Sequence, residues 1–87
     1  MYRVLFKKKV YNFFKKHKWE KIIYDLEKAV NVLKINPYRN NLDTKKLKWW
    51  IVNYRLRIWK YRFIYEIIDD KLIITFTDWD SRWDIYK

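Results

Sequence analysis

Hydrophobic and polar positions alternate with period two over residues 2–6, which puts Tyr2, Val4 and Phe6 on one side of a first strand closed by Lys7, Lys8 and Lys9. Val10, Phe13, Phe14 and His17 then recur at the i, i+3, i+4, i+7 spacing of one helical face, with Lys15, Lys16 and Lys18 outside the stripe. After a break near Lys18, the set Trp19, Ile22, Ile23, Leu26, Val30 and Leu33 keeps helical spacing, with Ala29 flanking it. Asn36 and Pro37 end that longer helix, because proline lacks an N–H and disfavours helical geometry in the residue before it. Residues 35–46 show no usable period and read as a connecting loop. From 47 to 77 the chain is aromatic and β-branched at period two, with breaks at Trp59 and Lys60 and again at Asp69 and Asp70. Three strands in a meander are expected there.

Two-residue hairpins at both breaks would set Ile58 opposite Tyr61, Leu56 opposite Phe63, Tyr54 opposite Tyr65 and Val52 opposite Ile67. The second ladder would then oppose Ile67 with Leu72, Tyr65 with Ile74 and Phe63 with Phe76. One face of this meander is wholly apolar or aromatic, and two helices laid on it give a two-layer α+β fold. The other face carries Asn53, Arg55 and Arg57, then Arg62, Ile64 and Glu66, then Ile73, Thr75 and Thr77, and is expected to be open and basic.

Charge turns that face into a candidate site. The chain has 21 Lys and Arg against 10 Asp and Glu, a net charge of +11, a field that gathers polyanions. Arg57 and Arg62 are directly opposite in the expected register, with Arg55 close by. Facing like charges destabilise a sheet unless an anion lies between them, and phosphate suits guanidinium. The alternative is a set of solvated arginines on an outer face. In the tail, Arg82 and Tyr86 stand four apart, so on a helical turn they would project together, the arginine for phosphate and the ring for an unpaired base. Single-stranded or loop RNA is the expected partner. Trp79 and Trp83 read instead as packing residues.

Composition narrows the class further. The 87 residues suffice for one core, so residues 1–87 are expected to form a single domain, and aromatics at 22% supply that core. Cysteine is absent, which excludes disulfides and thiolate metal sites. Glycine is absent too, which excludes the Gly-rich loops of nucleotide-cofactor enzymes. The ten carboxylates form no metal-binding motif, Asp78, Asp80 and Asp84 included, so no metal or other cofactor is expected. The Lys-rich start does not read as a signal peptide, no run is long enough to span a membrane, and a cytoplasmic location is expected.

The run YRLRIWKYRFIYEIIDDKLIIT over residues 54–75, followed by SRWDIY over 81–86, resembles the RelE/ParE superfamily of toxins from toxin–antitoxin pairs. NFFKK, LEKAVNVLKINP and the neighbouring Leu47 and Lys48 resemble that family's helices and the approach to its sheet, so the likeness covers almost the whole chain. It implies the order β-α-α-β-β-β, two helices on a mainly antiparallel four-stranded sheet. It also implies a RelE-like mRNA endonuclease acting in the ribosome's decoding site without a metal, and a cognate antitoxin. By resemblance, Arg55, Arg57, Arg62, Arg82 and Tyr86 fill the family's nucleic-acid-binding positions. The implied chemistry is attack of a ribose 2′-hydroxyl on the adjacent phosphate. Arg57 and Arg62 would hold the non-bridging oxygens, Arg82 would approach the leaving oxygen, Tyr86 would orient the base or hydroxyl, and Arg55 would place the backbone.

The departures from the family pattern matter as much. Trp59 and Lys60 occupy a turn where many members have glycine, and Asp80 and Ser81 stand where several RNase members have histidine or arginine. The single histidine, His17, lies in the first helix and reads as a helix-surface or core-edge residue, so no general base is evident. Two other readings therefore stay open: a gyrase-directed ParE-like toxin, and a basic RNA-binding module without chemistry.

Overall fold

Strand β1 (Arg3–Phe6) leads into helix α1 (Lys8–Lys16) and then α2 (Lys21–Ile35), in a computed structural model that describes residues 1–47 and 53–81. Helix α1 follows the expected stripe: Val10 and Phe13 are buried, and Lys15 and Lys16 sit in its last turn, where positive charge suits the helix dipole. Trp19 does not belong to α2, contrary to its place in the helical pattern. It lies in the turn between the helices and is 89% exposed. Beyond α2, Asn36 folds its carboxamide oxygen back to accept from the backbone N–H groups of Tyr38 and Arg39, both at 3.0 Å, which turns the chain just where Pro37 forbids more helix.

The segment expected to be a loop contains a short strand, β2 (Thr44–Lys46), so the sheet has five strands and not four. β3 (Asn53–Ile58), β4 (Tyr61–Ile68) and β5 (Ile73–Asp80) complete it in the order β1-β5-β4-β3-β2. All neighbouring pairs are antiparallel except β1 with β5, whose long connection runs through both helices and strands β2–β4. Two lysines on a three-residue edge strand discourage pairing with another chain, and such a strand is too short to show a period.

The β3–β4 hairpin has the expected register, with Ile58 opposite Tyr61, Leu56 opposite Phe63 and Tyr54 opposite Tyr65. The expected pairing of Val52 lies outside the described residues. The β4–β5 ladder is displaced: Ile67 pairs with Ile74 and Tyr65 with Phe76. A 3₁₀ turn, Asp69–Lys71, and a left-handed Leu72 lengthen the connection, so the slip is two residues and each side chain keeps its face. A bulge opposite Ile64 and Tyr65 then accommodates Thr77, after which Asp78 opposes Ile64, Trp79 opposes Phe63 and Asp80 opposes Arg62. Residues 78–80 thus continue the last strand beyond Thr77, where the expected meander ended.

The inner face of the sheet holds the core. Phe13 of α1 meets the rings of Phe63 and Tyr61, each at 5.2 Å, and Trp79 at 4.7 Å, while Ile22, Leu26 and Leu33 of α2 are fully buried. Edge-on ring contacts of this kind add to the area buried. His17 stacks on Phe13 at 4.3 Å and its Nδ1 lies 2.9 Å from a Glu20 carboxylate oxygen, which makes it a core-edge residue.

Candidate functional site

The sheet face away from the helices is built as two rows. In one, Arg57, Arg62 and Asp80 stand side by side on β3, β4 and β5; in the other, Lys45, Arg55, Ile64 and Asp78 run from β2 to β5. The expected facing pair Arg57 and Arg62 is present, with Arg55 two residues from Arg57 on the same strand. Arg82 and Tyr86, expected beside this face, lie outside the described residues.

The face is less open than its sequence pattern implies. Arg62 is 2% exposed and Ile64 8%, whereas Arg57 is exposed. A buried guanidinium must be met by acceptors. Arg62 Nη1 donates to the Lys60 carbonyl at 3.2 Å, and Arg57 Nε donates to the Trp59 carbonyl at 3.3 Å, so both arginines fold back onto the hairpin tip. Arg55 Nη1 donates to Asp43 Oδ1 at 3.0 Å from a side chain only 12% exposed, which offsets the like charge of Lys45 across the β2–β3 ladder. Asp80 does the same for the Arg57 and Arg62 row by position. The bulge at Thr77 and the longer turn put it there, and a register of two plain hairpins places Thr77 instead.

The hairpin tip itself is unusual. Trp59 has φ 58°, in the left-handed region where a Cβ is costly and where glycine normally stands in a two-residue hairpin. The residue is 49% exposed and Lys21 Nζ lies 5.6 Å from the ring centroid. The absence of glycine from the chain was the sequence signal that some turn would carry this strain.

A second polar cluster lies at the other end of the molecule. Asp69 accepts from Tyr2 Oη at 2.6 Å and from Tyr38 Oη at 2.6 Å, joining the first strand, the loop after α2 and the β4–β5 turn. These two donors hold the Asp69 carboxyl below its usual range. The Tyr38 phenol is raised by burial and by the carboxylate, and the Tyr2 phenol by its hydrogen bond to that carboxylate. Burial pushes Tyr65 up to about 12. Among the described residues no group of three His, Cys, Asp or Glu is placed to hold a metal, and no helix is long and apolar enough to cross a membrane.

No protein-family profile and no curated protein sequence matches the chain. Solved structures do. The archaeal RelE–RelB complex from Pyrococcus horikoshii OT3 aligns with a TM-score of 0.77 and 25% identity, over 95% of this chain and 97% of that one. The RelB–RelE antitoxin–toxin complex from Methanococcus jannaschii aligns at 0.70 with 28% identity, over 94% of each. The isolated E. coli RelE toxin aligns at 0.76 over 99% of this chain and 92% of its own, and at 19% identity it shows the shared fold alone.

Proposed function

We propose that this chain is a RelE-like toxin that stops translation by cutting mRNA on the ribosome. The observation that carries the reading is the facing of Arg57 and Arg62, with Arg55 beside them, on the outer sheet of a RelE-like fold. Two guanidiniums at that spacing suit the two non-bridging oxygens of one phosphate. The ribose 2′-oxygen attacks the adjacent phosphorus, the bond from phosphorus to the 5′-oxygen breaks, and a 2′,3′-cyclic phosphate and a 5′-hydroxyl result. Arg57 and Arg62 stabilise the charge that builds on the phosphoryl oxygens. With Asp80 opposite Arg62, the exposed Arg57 is the guanidinium that an incoming phosphate meets first.

Arg55 positions the RNA backbone, Arg82 approaches the leaving oxygen and Tyr86 stacks on or orients the nucleotide. An arginine stays protonated and an ordinary tyrosine titrates near ~10, so the base that takes the 2′-proton comes from the ribosome or from water it orders. The chemistry needs no metal because the nucleophile belongs to the RNA. The partner that holds the toxin in check is an antitoxin, as in the RelB complexes of its structural neighbours. A surface of charge +11 with many aromatics suits an acidic segment that folds as it binds.

Incubating the purified chain with translating ribosomes and a defined mRNA, followed by primer extension, tests this. Cleavage at discrete positions supports it; intact mRNA at stoichiometric protein contradicts it. The burial of Arg62 favours one second reading, an RNA-binding module that engages RNA without cutting it, and the same assay combined with a binding measurement separates the two.

A further inference from the structure

We propose that Trp59, at the tip of the β3–β4 hairpin, is a stacking platform for an unpaired RNA base, extending the arginine site beyond the sheet. The inference rests on the RNA reading above but on different residues. Trp59 combines features that packing does not explain. It holds φ 58° although its Cβ opposes that conformation, and the residue is half exposed. A residue kept in a costly backbone region without core contacts to justify it points to use.

The surroundings specify the ligand. Lys21, at the start of α2, brings its ammonium within 5.6 Å of the Trp59 ring centroid from the helical layer. From the sheet layer Arg57 Nε donates to the Trp59 carbonyl, and Lys60 is the next residue of the turn. An aromatic face with Lys21 and Arg57 beside it matches a nucleotide, a planar base for the ring and flanking phosphates for the cations, while the Lys60 ammonium lies over the Tyr61 ring at 5.5 Å. A duplex offers no free base face, so the ligand is single-stranded RNA. Arg57 belongs to both sites. One strand therefore runs from the Arg57 and Arg62 pair over the hairpin tip, and Trp59 fixes its register by holding a base next to the bound phosphate.

The other left-handed residue supplies the control. Leu72 has φ 53° and is 47% exposed, but it lies in the β4–β5 turn behind the 3₁₀ turn Asp69–Lys71 and carries no ring. Substituting glycine removes the Cβ penalty at either position.

The test measures fluorescence anisotropy of a labelled single-stranded 2′-O-methyl oligoadenylate, which the proposed chemistry cannot cut, together with thermal melting of each variant. Trp59→Gly should weaken binding by roughly 5- to 100-fold while melting no lower than the parent, and Trp59→Phe should stay within a few-fold of it. Leu72→Gly should melt higher and bind as the parent does. Unchanged affinity in Trp59→Gly, with the parent binding well, overturns the platform and leaves the arginine site standing. A parent that does not bind the oligonucleotide overturns the RNA reading as well. Loss of antitoxin binding in Trp59→Gly with RNA affinity intact makes the tip a protein contact and overturns the proposal. A lower melting temperature in Trp59→Gly makes the tryptophan a packing residue and overturns it too.

Discussion

Strand β4 is buried on both faces, but by different physics. Its inner side chains Tyr61, Phe63, Tyr65 and Ile67 belong to the hydrophobic core, where volume and apolar character set most of the requirement. Its outer side carries Arg62 at 2% exposure between Arg57 and Asp80. Burying a guanidinium is costly unless acceptors are placed for it, so this side is specific where the inner side is merely apolar. That contrast is why the proposed site is placed on the outer face.

The largest effect that sharpens the contrast is on the inner side. Phe63→Ala should cost about 3–5 kcal/mol, the range for a large core aromatic, read as a lower midpoint in urea. On the outer side Arg57→Ala should change stability by less than about 0.5 kcal/mol, because the residue is exposed. Its rate of mRNA cleavage should nonetheless fall by about 10²- to 10³-fold, the usual loss on removing one donor from a developing charge. If melting curves made Arg57→Ala the more damaging of the two, the division between the faces would be wrong.

Asp80→Asn probes the row directly. Without its charge, Arg57 and Arg62 face each other with less compensation, so the variant should lose on the order of 1–3 kcal/mol of stability and bind single-stranded RNA more tightly. Unchanged stability together with unchanged affinity would mean that Asp80 does not balance the row.

The inner face also carries a pH dependence. Burial raises the Tyr65 phenol from about 10 to about 12, so its contribution to stability is fully present below pH 10 and is lost as pH rises toward 12. In that window the slope should include about 1.4 kcal/mol per pH unit from this one proton. Tyr65→Phe should remove that share of the alkaline loss, and an unaltered alkaline limb would exclude Tyr65 as its source.

The legibility of the fold in the sequence divides along the same line. Period-two alternation and a two-residue break were enough to place Tyr54, Leu56, Phe63 and Tyr65 correctly, because one register puts all of them on the inner face. The β4–β5 ladder was less legible. Asp69 and Asp70 announce a turn without fixing its length, and a two-residue slip keeps all faces, so hydrophobic pattern alone does not detect it. The bulge at Thr77 changes the face of residues 78–80 and brings Asp80 opposite Arg62, which no period contains. Strand β2 was hidden by its length and its lysines, and Trp19 by a spacing that the turn happens to continue. Of the expected site residues, Arg55, Arg57 and Arg62 lie together on the outer face; Arg82 and Tyr86 fall outside the described residues.

The most direct test of the central claim is the chemistry of the cut ends. Ribosomes programmed with a short mRNA, treated with chain stripped of metal by EDTA, should yield fragments ending in a 2′,3′-cyclic phosphate or the 3′-phosphate derived from it, and a substrate with a single 2′-deoxyribose at the scissile position should bind and stay intact. Fragments ending in a 3′-hydroxyl, or cleavage of the deoxy substrate, would contradict an attack by the RNA's own hydroxyl between Arg57 and Arg62.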